Sequence, residues 1–114
     1  MRIVDFGPGA SHSIAAFYSR ASLAPLMRAT DAARTIVMHL PPDGIVGTHD
    51  ATVRQLFCVV AGEGWVAGPD DVRHPIRPFH AAEWQAGERH TSGTETGMVA
   101  VVIEGDFEVE LPER

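Results

Sequence analysis

The sequence contains no lysine, only one cysteine, and no apolar run long enough to span a membrane. All nine basic residues are arginines scattered along the chain, and fifteen acidic residues outnumber them to give a net charge of -6. Such a balance repels nucleic-acid phosphates and anionic lipid headgroups. We therefore expect neither nucleic acid nor a membrane as a partner.

The single cysteine, Cys58, excludes an intrachain disulfide. It lies in the apolar run from Leu56 to Val60, where a buried thiol behaves as a small hydrophobic side chain. This usage fits a reducing compartment. The first twelve residues lack the apolar stretch of a signal peptide, and the longest apolar runs, LFCVVA and MVAVVI, are too short to cross a bilayer. We predict a cytoplasmic protein.

A chain of 114 residues fits one domain with a real core. After residue 34, short β-rich runs alternate with clusters of glycine, proline and acidic residues, which is typical of an all-β sandwich or barrel. The runs cover residues 35–40, 55–60, 65–67 and 98–103. We predict an N-terminal extension over residues 1–34 and a barrel over residues 35–114.

Within the extension, Ser11 is placed to cap a short helical turn in which Ile14, Phe17 and Tyr18 share one face. Residues 22–34 fit either a strand or a loop. Helix should make up less than a fifth of the chain.

Three predicted strands, TIVMHL, QLFCVV and MVAVVI, are apolar at nearly every position, so both of their faces should be covered. By the two-residue period of a strand, Gln55, Phe57 and Val59 should point into the barrel and Cys58 should point outward. The outer face needs a cover, either a second subunit or apolar residues of the extension (Ile14, Phe17, Leu23, Leu26 and Met27). We predict a homodimer.

The spacing of glycine and histidine follows a two-part motif. The first part, G-x5-H-x-H-x3,4-E-x6-G, matches at His49 and Gly62, whereas Ala51 occupies its second histidine position and Gln55 its glutamate position. Gly44 lies one residue too close to be its opening glycine.

The second part of the motif, G-x5-P-x-G-x2-H-x3-N, matches at Gly87 and His90. Other residues replace its first glycine, its proline and its asparagine (Phe79, Gln85 and Thr94). On these residues, the stretch from about residue 35 to 105 resembles the cupin superfamily.

The resemblance implies a double-stranded β-helix, or jelly roll, whose interior holds a metal ion or a small molecule. It leaves His49, Gln55 and His90 as possible metal ligands, and it implies a small-molecule site bounded by Gln55, Phe57, Trp84 and Ala51. Three neutral ligands suit zinc, nickel or copper better than iron or manganese, because an amide does not offset the charge of the ion. The cofactor is then a divalent metal, or none.

A carboxylate from elsewhere could complete the ligand set, and four lie near the motif: Asp50, Glu63, Glu83 and Glu88. Asp50 should point away from His49, since neighbouring residues of an extended segment face opposite sides. Glu63 and Glu88 fall in predicted turns. None of these four carboxylates has a position that favours it as the additional metal ligand.

Other histidines and the tryptophans carry weaker signals. His39 shares strand parity with Thr35 and Val37 and could reach the interior, although a structural role is more usual. Trp65 and Trp84 could stack on a ligand or fill the core. His12, His74 and His80 lie in predicted loops or turns and should be exposed.

The sequence leaves three functions open. The first is a metal-dependent small-molecule oxygenase, isomerase or lyase, in which the ion held by His49 and His90 acts as a Lewis acid. The second is a metal-free module that binds or senses a small ligand. The third is a metal-independent epimerase or cyclase with a histidine base, for which no companion acid is evident.

Overall fold

A computed structural model describes all residues from 1 to 114, and strands make up 61% of the chain. Helix is limited to 5%, as two single 3-10 turns over Pro8–Ala10 and Ala16–Tyr18. The eleven strands are β1 (Arg2–Asp5), β2 (His12–Ile14), β3 (Ala21–Leu23), β4 (Met27–Leu40), β5 (Ile45–Asp50), β6 (Arg54–Gly62), β7 (Gly64–Ala67), β8 (Arg73–Ile76), β9 (His80–Trp84), β10 (Arg89–Gly93) and β11 (Met98–Val109).

The strands form two main antiparallel sheets and a small hairpin. The large sheet has the order β1-β9-β6-β11-β4, the small sheet has the order β5-β10-β7-β8, and β2 pairs only with β3. Every strand pairing is antiparallel. The all-β prediction is confirmed, with the two sheets remaining separate rather than joining into one closed hydrogen-bonded barrel.

The main core lies between the two sheets. Val66 and Ile76 come from the small sheet, and the other buried members come from the large one (Leu40, Phe57, Val59, Ala82, Trp84, Met98, Ala100 and Val102). Phe57 and Val59 point inward as predicted, while Cys58 belongs to a second cluster on the opposite face. Strand alternation therefore gives the correct phase for β6.

The second core cluster covers the outer face of the large sheet. It joins Leu56, Cys58 and Ile103 to residues that lie over them, including Phe107 and Leu111 from the C-terminal end. Several residues from the first 34 positions also pack there (Phe6, Ala10, Ala24, Leu26 and Met27). Of the covering residues expected from the sequence, Leu26 and Met27 take this role, whereas Phe17 and Leu23 are exposed.

The first 34 residues contribute strands to the main sheet as well as a cover. β1 pairs with β9, with Arg2 opposite Glu83. Residues 22–34, for which the sequence left strand and loop open, contain the end of β3 and the first half of β4. A division between residues 34 and 35 therefore lies inside a continuous strand.

The predicted helical turn after Ser11 is wrong. Ser11 ends the 3-10 turn that precedes it, and its hydroxyl donates to the carbonyl of Pro8. His12–Ile14 instead forms a strand, because its backbone pairs with Ala21–Leu23. Phe17 and Tyr18 have φ values of 57° and 59°, so the single turn over Ala16–Tyr18 is left-handed at these residues and is not part of a right-handed helix. Pairing across the hairpin thus overrides the three- and four-residue spacing.

Gly62 shows why one motif glycine is needed. It turns the chain from β6 into β7 with a φ of 71°. A Cβ at this position would lie 2.1 Å from the carbonyl oxygen of Gly97, the residue just before β11. Any other residue would meet both a disfavoured backbone conformation and a backbone clash.

Candidate functional site

Two motif histidines meet at one end of the sandwich. His49 on β5 and His90 on β10 are direct cross-strand partners, and their ring centroids are 4.3 Å apart. A β-bulge lies immediately before His49, where Gly47 and Thr48 together oppose a single residue of β10. His90 is 4% exposed and His49 is exposed to solvent, so the pair connects the core with the surface.

Both imidazoles are oriented by a main-chain carbonyl two residues earlier. Nδ1 of His49 lies 2.6 Å from the oxygen of Gly47, and Nδ1 of His90 lies 3.3 Å from the oxygen of Glu88. A neutral ring that donates from Nδ1 keeps its lone pair on Nε2. This arrangement is typical of histidines that bind a metal through Nε2, because the carbonyl fixes the tautomer and the ring orientation.

Burial favours the neutral form of His90. Desolvation lowers the pKa of His90 below its ordinary value of 6.5, and repulsion from His49 lowers it further. The hydrogen bond to the Glu88 carbonyl and the charges of Asp50 and Glu88 act in the opposite direction and offset only part of this effect. A neutral imidazole is the form that binds metals.

Trp84 forms the inner wall of the site. Its ring stacks on His90 with centroids 4.6 Å apart and planes inclined by 31°. Its Nε1 donates to the carbonyl of Ala67 at 3.2 Å. The Phe57 ring packs edge-on against the Trp84 ring, with centroids 6.1 Å apart. Trp84 is fully buried and therefore belongs to both the core and the site.

Gln55 lies beside this wall and has a partner that the sequence reasoning missed. It is the cross-strand neighbour of Trp84 on one side and of Glu104 on the other. Its Nε2 donates to Glu104 Oε1 at 3.4 Å. The two-residue alternation along β11 could have revealed this partner. Ala100 and Val102 face inward, and Glu104 lies two residues after Val102, so it should face inward as well.

Ala51 lies next to the histidine pair, directly after β5. It is buried, its amide donates to the Glu88 carbonyl at 2.8 Å, and its carbonyl accepts from the Gly87 amide at 2.7 Å. These bonds join it to the turn that leads into His90. The segments that carry three motif positions, His49, Ala51 and His90, are thus neighbours in space.

Two of the four carboxylates considered from the sequence, Glu83 and Glu88, have other partners. Glu83 is buried on the side of β9 opposite Trp84 and lies 2.5 Å from Nε of Arg2. Glu88 accepts from the amino group of Met1 and from the amide of Gln85, each at 2.7 Å. No group of three or more His, Cys, Asp or Glu side chains is arranged to hold a metal ion. Of the ligands expected from the sequence, the structure brings the rings of His49 and His90 side by side, whereas the side-chain contact of Gln55 is with Glu104.

The remaining candidates lie elsewhere. His39, His12 and His74 are exposed, whereas His80 is buried, so its predicted exposure is wrong. The sequence suggested a turn at His80, but it begins β9, a strand buried along its whole length. Trp65 lines a cavity of about 580 Å³ at the opposite end of the sandwich, and the guanidinium of Arg73 lies 3.7 Å from its ring centroid.

Comparison with solved structures identifies the fold. A cupin superfamily protein from Desulfitobacterium hafniense superposes with a TM-score of 0.60 at 16% identity, over 69% of this chain and 74% of the other. The chain has a cupin-type fold. The sequence significantly matches no protein-family model and no curated protein.

Two further structural neighbours of this cupin-type domain are named for activities. The DMSP lyase DddQ from Ruegeria pomeroyi superposes with a TM-score of 0.61 at 19% identity, and the match covers 75% of this chain but only 46% of the lyase. A predicted oxalate decarboxylase from Thermotoga maritima superposes with a TM-score of 0.57 at 17% identity, and the match covers 96% of this chain and 94% of the decarboxylase. The structure contains no helix of the length and apolarity needed to cross a bilayer.

Proposed function

We propose that this cupin-type domain binds one divalent metal ion through Nε2 of His49 and Nε2 of His90, and a small molecule beside it. The observation that carries the proposal is the orientation of the two rings. Each Nδ1 is directed at a main-chain carbonyl and the ring centroids are 4.3 Å apart. Both Nε2 atoms are then left with a lone pair.

The neutral donor set decides the choice of metal. Imidazole suits zinc, nickel and copper, whereas iron(II) sites commonly add a carboxylate to two histidines. The amide oxygen of Gln55, whose cross-strand neighbour Trp84 stacks on His90, is a further neutral donor. We therefore expect zinc, nickel or copper to bind more tightly than iron or manganese.

A metal held by so few protein ligands keeps open positions for a substrate. When bound, the ion would act as a Lewis acid toward a small molecule. The chain's own residues would orient that molecule: Trp84 and Phe57 lie behind His90 as an apolar wall, and Gln55 offers an amide. Two structural neighbours are named as a lyase and a predicted decarboxylase, which is consistent with small-molecule chemistry in this fold.

A second candidate is a metal-free module that binds a small planar ligand. It is favoured by the hydrogen bond of Gln55 to Glu104 and by the stack of His90 on Trp84. In this alternative, Trp84 and His90 would contact the ligand, and the amide of Gln55 would stay with its present partner.

The two candidates can be separated by metal titration of protein purified without an affinity tag. In a Trp65→Phe background, Trp84 is the only tryptophan, and its indole lies against His90. Copper or nickel bound at the pair should quench its fluorescence, and calorimetry should give one ion per chain. His49→Ala and His90→Ala should each abolish both signals.

His74→Ala is the matched control, because His74 is exposed and lies on β8, outside the histidine pair. It should leave binding unchanged. If the parent protein binds no zinc, nickel or copper, or if binding survives both site substitutions, the metal proposal is wrong. Absence of metal binding would leave the metal-free module as the function to test.

A further inference from the structure

A cavity of about 580 Å³ lies at the end of the sandwich away from the histidine pair. Strand β10 runs between the two places, since His90 lies near its start and Gly93, at its end, is the cross-strand partner of Trp65. The lining comes from β7, β8 and the turns around them, from the β10–β11 turn and from the chain after β11. None of the lining residues belongs to the histidine site. The cavity is therefore a second concave surface, within the size range of small-molecule pockets.

The apolar part of the lining comes from Trp65 and Ile76, on neighbouring strands. Ile76 is buried. A Cβ at Gly93 would lie 2.5 Å from the Trp65 ring, so the absence of a side chain there lets the ring pack directly on the backbone of β10. The guanidinium of Arg73 lies 3.7 Å from the centroid of the same ring, within the range of a cation–π contact. The indole is thus held in place and offers a ligand a preformed apolar surface.

The cavity is also lined by four charged side chains, two of each sign: Arg77, Arg114, Glu63 and Glu95. All four are exposed. None of them makes an ion pair with another protein group, since the ion pairs of the structure involve other residues. The cavity therefore presents charges of both signs that no protein partner neutralises.

The two glutamates form one side of the cavity. Glu63 lies in the β6–β7 turn and Glu95 in the β10–β11 turn. Thr94 joins these turns, because its hydroxyl donates to the Glu63 carbonyl at 2.6 Å and accepts from the Gly97 amide at 2.9 Å. The two carboxylates therefore come from adjoining backbone segments, where both can act on one cationic group.

The two arginines and His80 form the other side. Arg77 lies in the β8–β9 turn, and its carbonyl accepts from the amide of His80 at 3.0 Å. Desolvation lowers the pKa of His80, and the charges of Arg114 and Arg77 lower it further, whereas the charge of Asp5 raises it. Both guanidinium groups therefore lie close enough to this imidazole to act on its charge.

His80 also carries a polar atom that the protein leaves without a partner. The residue is 4% exposed, and its buried Nδ1 makes no hydrogen bond. The other ring nitrogen, Nε2, lies 3.9 Å from Oδ2 of Asp5. A buried polar atom without a partner is rare in folded proteins. Because His80 lines the cavity, a ligand bound there can supply the missing partner.

We propose that this cavity binds a small amino acid zwitterion with an apolar side chain. Arg77 and Arg114 bind its carboxylate through charge-assisted hydrogen bonds, and Nδ1 of His80 donates to the same group. Glu63 and Glu95 bind its ammonium group. The apolar side chain of the ligand packs on the indole surface described above.

The presence of both signs of charge selects this class of ligand. Glu63 and Glu95 would repel a ligand that carries only anionic groups, such as phosphate, and the arginines would repel a ligand that carries only cationic groups. A zwitterion is attracted by both sides of the cavity. The proposal concerns a site apart from the histidine pair and does not depend on metal binding.

Calorimetric titration of the full chain, freed of metal by dialysis, tests the proposal at pH 7 with four probes. L-leucine should bind with one molecule per chain. Leucinamide lacks the carboxylate and N-acetyl-L-leucine lacks the ammonium group. Each should bind at least about 10-fold more weakly than L-leucine, since hydrogen bonds to charged groups are the stronger ones. Inorganic phosphate should bind more weakly than L-leucine as well.

Two double variants assign the two charges of the ligand. Arg77→Gln with Arg114→Gln should weaken L-leucine binding at least about 10-fold and remove the preference for L-leucine over leucinamide. Glu63→Gln with Glu95→Gln should weaken binding to a similar extent and remove the preference for L-leucine over N-acetyl-L-leucine. The four replaced side chains are exposed, so both variants should fold, which circular dichroism verifies.

Arg20→Gln and Asp31→Asn are the matched controls, because both residues are exposed and lie outside the cavity. They should bind L-leucine as the parent does. If the parent chain does not bind L-leucine, the proposal is wrong. Phosphate or N-acetyl-L-leucine bound as tightly as L-leucine would indicate a plain anion site and overturn it, as would preferences that survive both double variants. The comparison of probes on the parent chain decides the question even if a variant fails to fold.

Discussion

The side-chain amide of Gln55 donates to the carboxylate of Glu104 across β6 and β11, at 3.4 Å. Glu104 is also bound by Nε of Arg34 at 2.9 Å, and its side chain is only 13% exposed. A negative charge thus lies beside the residue that takes the motif's glutamate position.

Replacing Gln55 by glutamate should make stability depend on metal. Gln55→Glu brings a second carboxylate next to Glu104, and the repulsion should lower the unfolding free energy by about 1 kcal/mol without metal. Zinc bound nearby should restore it. Chemical denaturation measures the unfolding free energy in EDTA, without metal, and again with zinc present. Gln85→Glu is the control, because Gln85 accepts from Arg54 and an added charge there should not destabilise. Equal stability of parent and Gln55→Glu in EDTA would contradict the prediction.

Restoring the family's ligand pattern should tighten metal binding. Ala51→His with Gln55→Glu supplies a third imidazole and a carboxylate near the histidine pair. Because Ala51 is buried, the larger side chain should cost about 1–3 kcal/mol of stability. Zinc and iron(II) retained after dialysis should nevertheless increase strongly over the parent. If parent and variant retain equally little metal, the two histidines do not face a common ion.

Stability should fall as the pH decreases from 7 to 5. Desolvation lowers the pKa of both His90 and His80, and in His80 the charges of Arg114 and Arg77 contribute further. Below pH 6.5 the unfolded chain therefore binds more protons than the folded one, and the unfolding free energy decreases as pH falls toward the folded-state pKa values. Denaturant titrations in EDTA at several pH values measure this slope.

The control for the pH experiment removes the two histidines. His90→Phe keeps an aromatic ring against Trp84, and His80→Asn keeps a polar side chain. The double variant should show a flatter pH dependence than the parent, and the exposed His74→Ala should not. A double variant with the parent's slope would assign the effect to other groups.

The buried carboxylate of Glu83 should depend on Arg2. Glu83 has two cationic partners, and Arg2→Gln removes the closer one. The remaining partner is Arg54, whose Nε lies 4.0 Å from Oε2 of Glu83. We expect a loss of about 2 kcal/mol in unfolding free energy, because a charge that remains buried loses its compensation. Arg28→Gln breaks an exposed pair with Glu108 and should change stability by less than about 1 kcal/mol. Equal effects of the two substitutions would show that burial of Glu83 is unimportant.

Cys58 should be unreactive in the folded protein. Burial raises the pKa of its thiol to about 12, so almost no thiolate is present at pH 8. Modification by an aromatic disulfide reagent should be slow in buffer and fast in denaturant. A rapid reaction in buffer would mean that β6 opens or that the outer cluster is not packed as described.

The strand content and the phase of β6 could be predicted because burial on both faces leaves a direct mark on the sequence. Leu56 and Cys58 alternate with Phe57 and Val59, and each set fills its own cluster. The resemblance to the cupin motif implies that His49 and His90 converge, and the pairing of β5 with β10 places them opposite each other.

Other features depend on long-range pairing that local spacing does not record. The role of Glu104 follows from its register with Gln55, 49 residues away. The strands in place of a helix after Ser11 follow from the pairing of His12–Ile14 with Ala21–Leu23. Burial of His80 follows from the position of β9 between β1 and β6 in the large sheet.

The same sheet order determines when the chain can fold during synthesis. The two edge strands pair with partners from distant parts of the chain: Arg2 lies opposite Glu83, and Arg28 lies opposite Glu108. Closing such distant pairs costs chain entropy before any contact compensates it, so folding should be slow. On the ribosome, β4 must wait for almost the whole sequence before its partner emerges, and until then its long edge is open to the edges of other nascent chains.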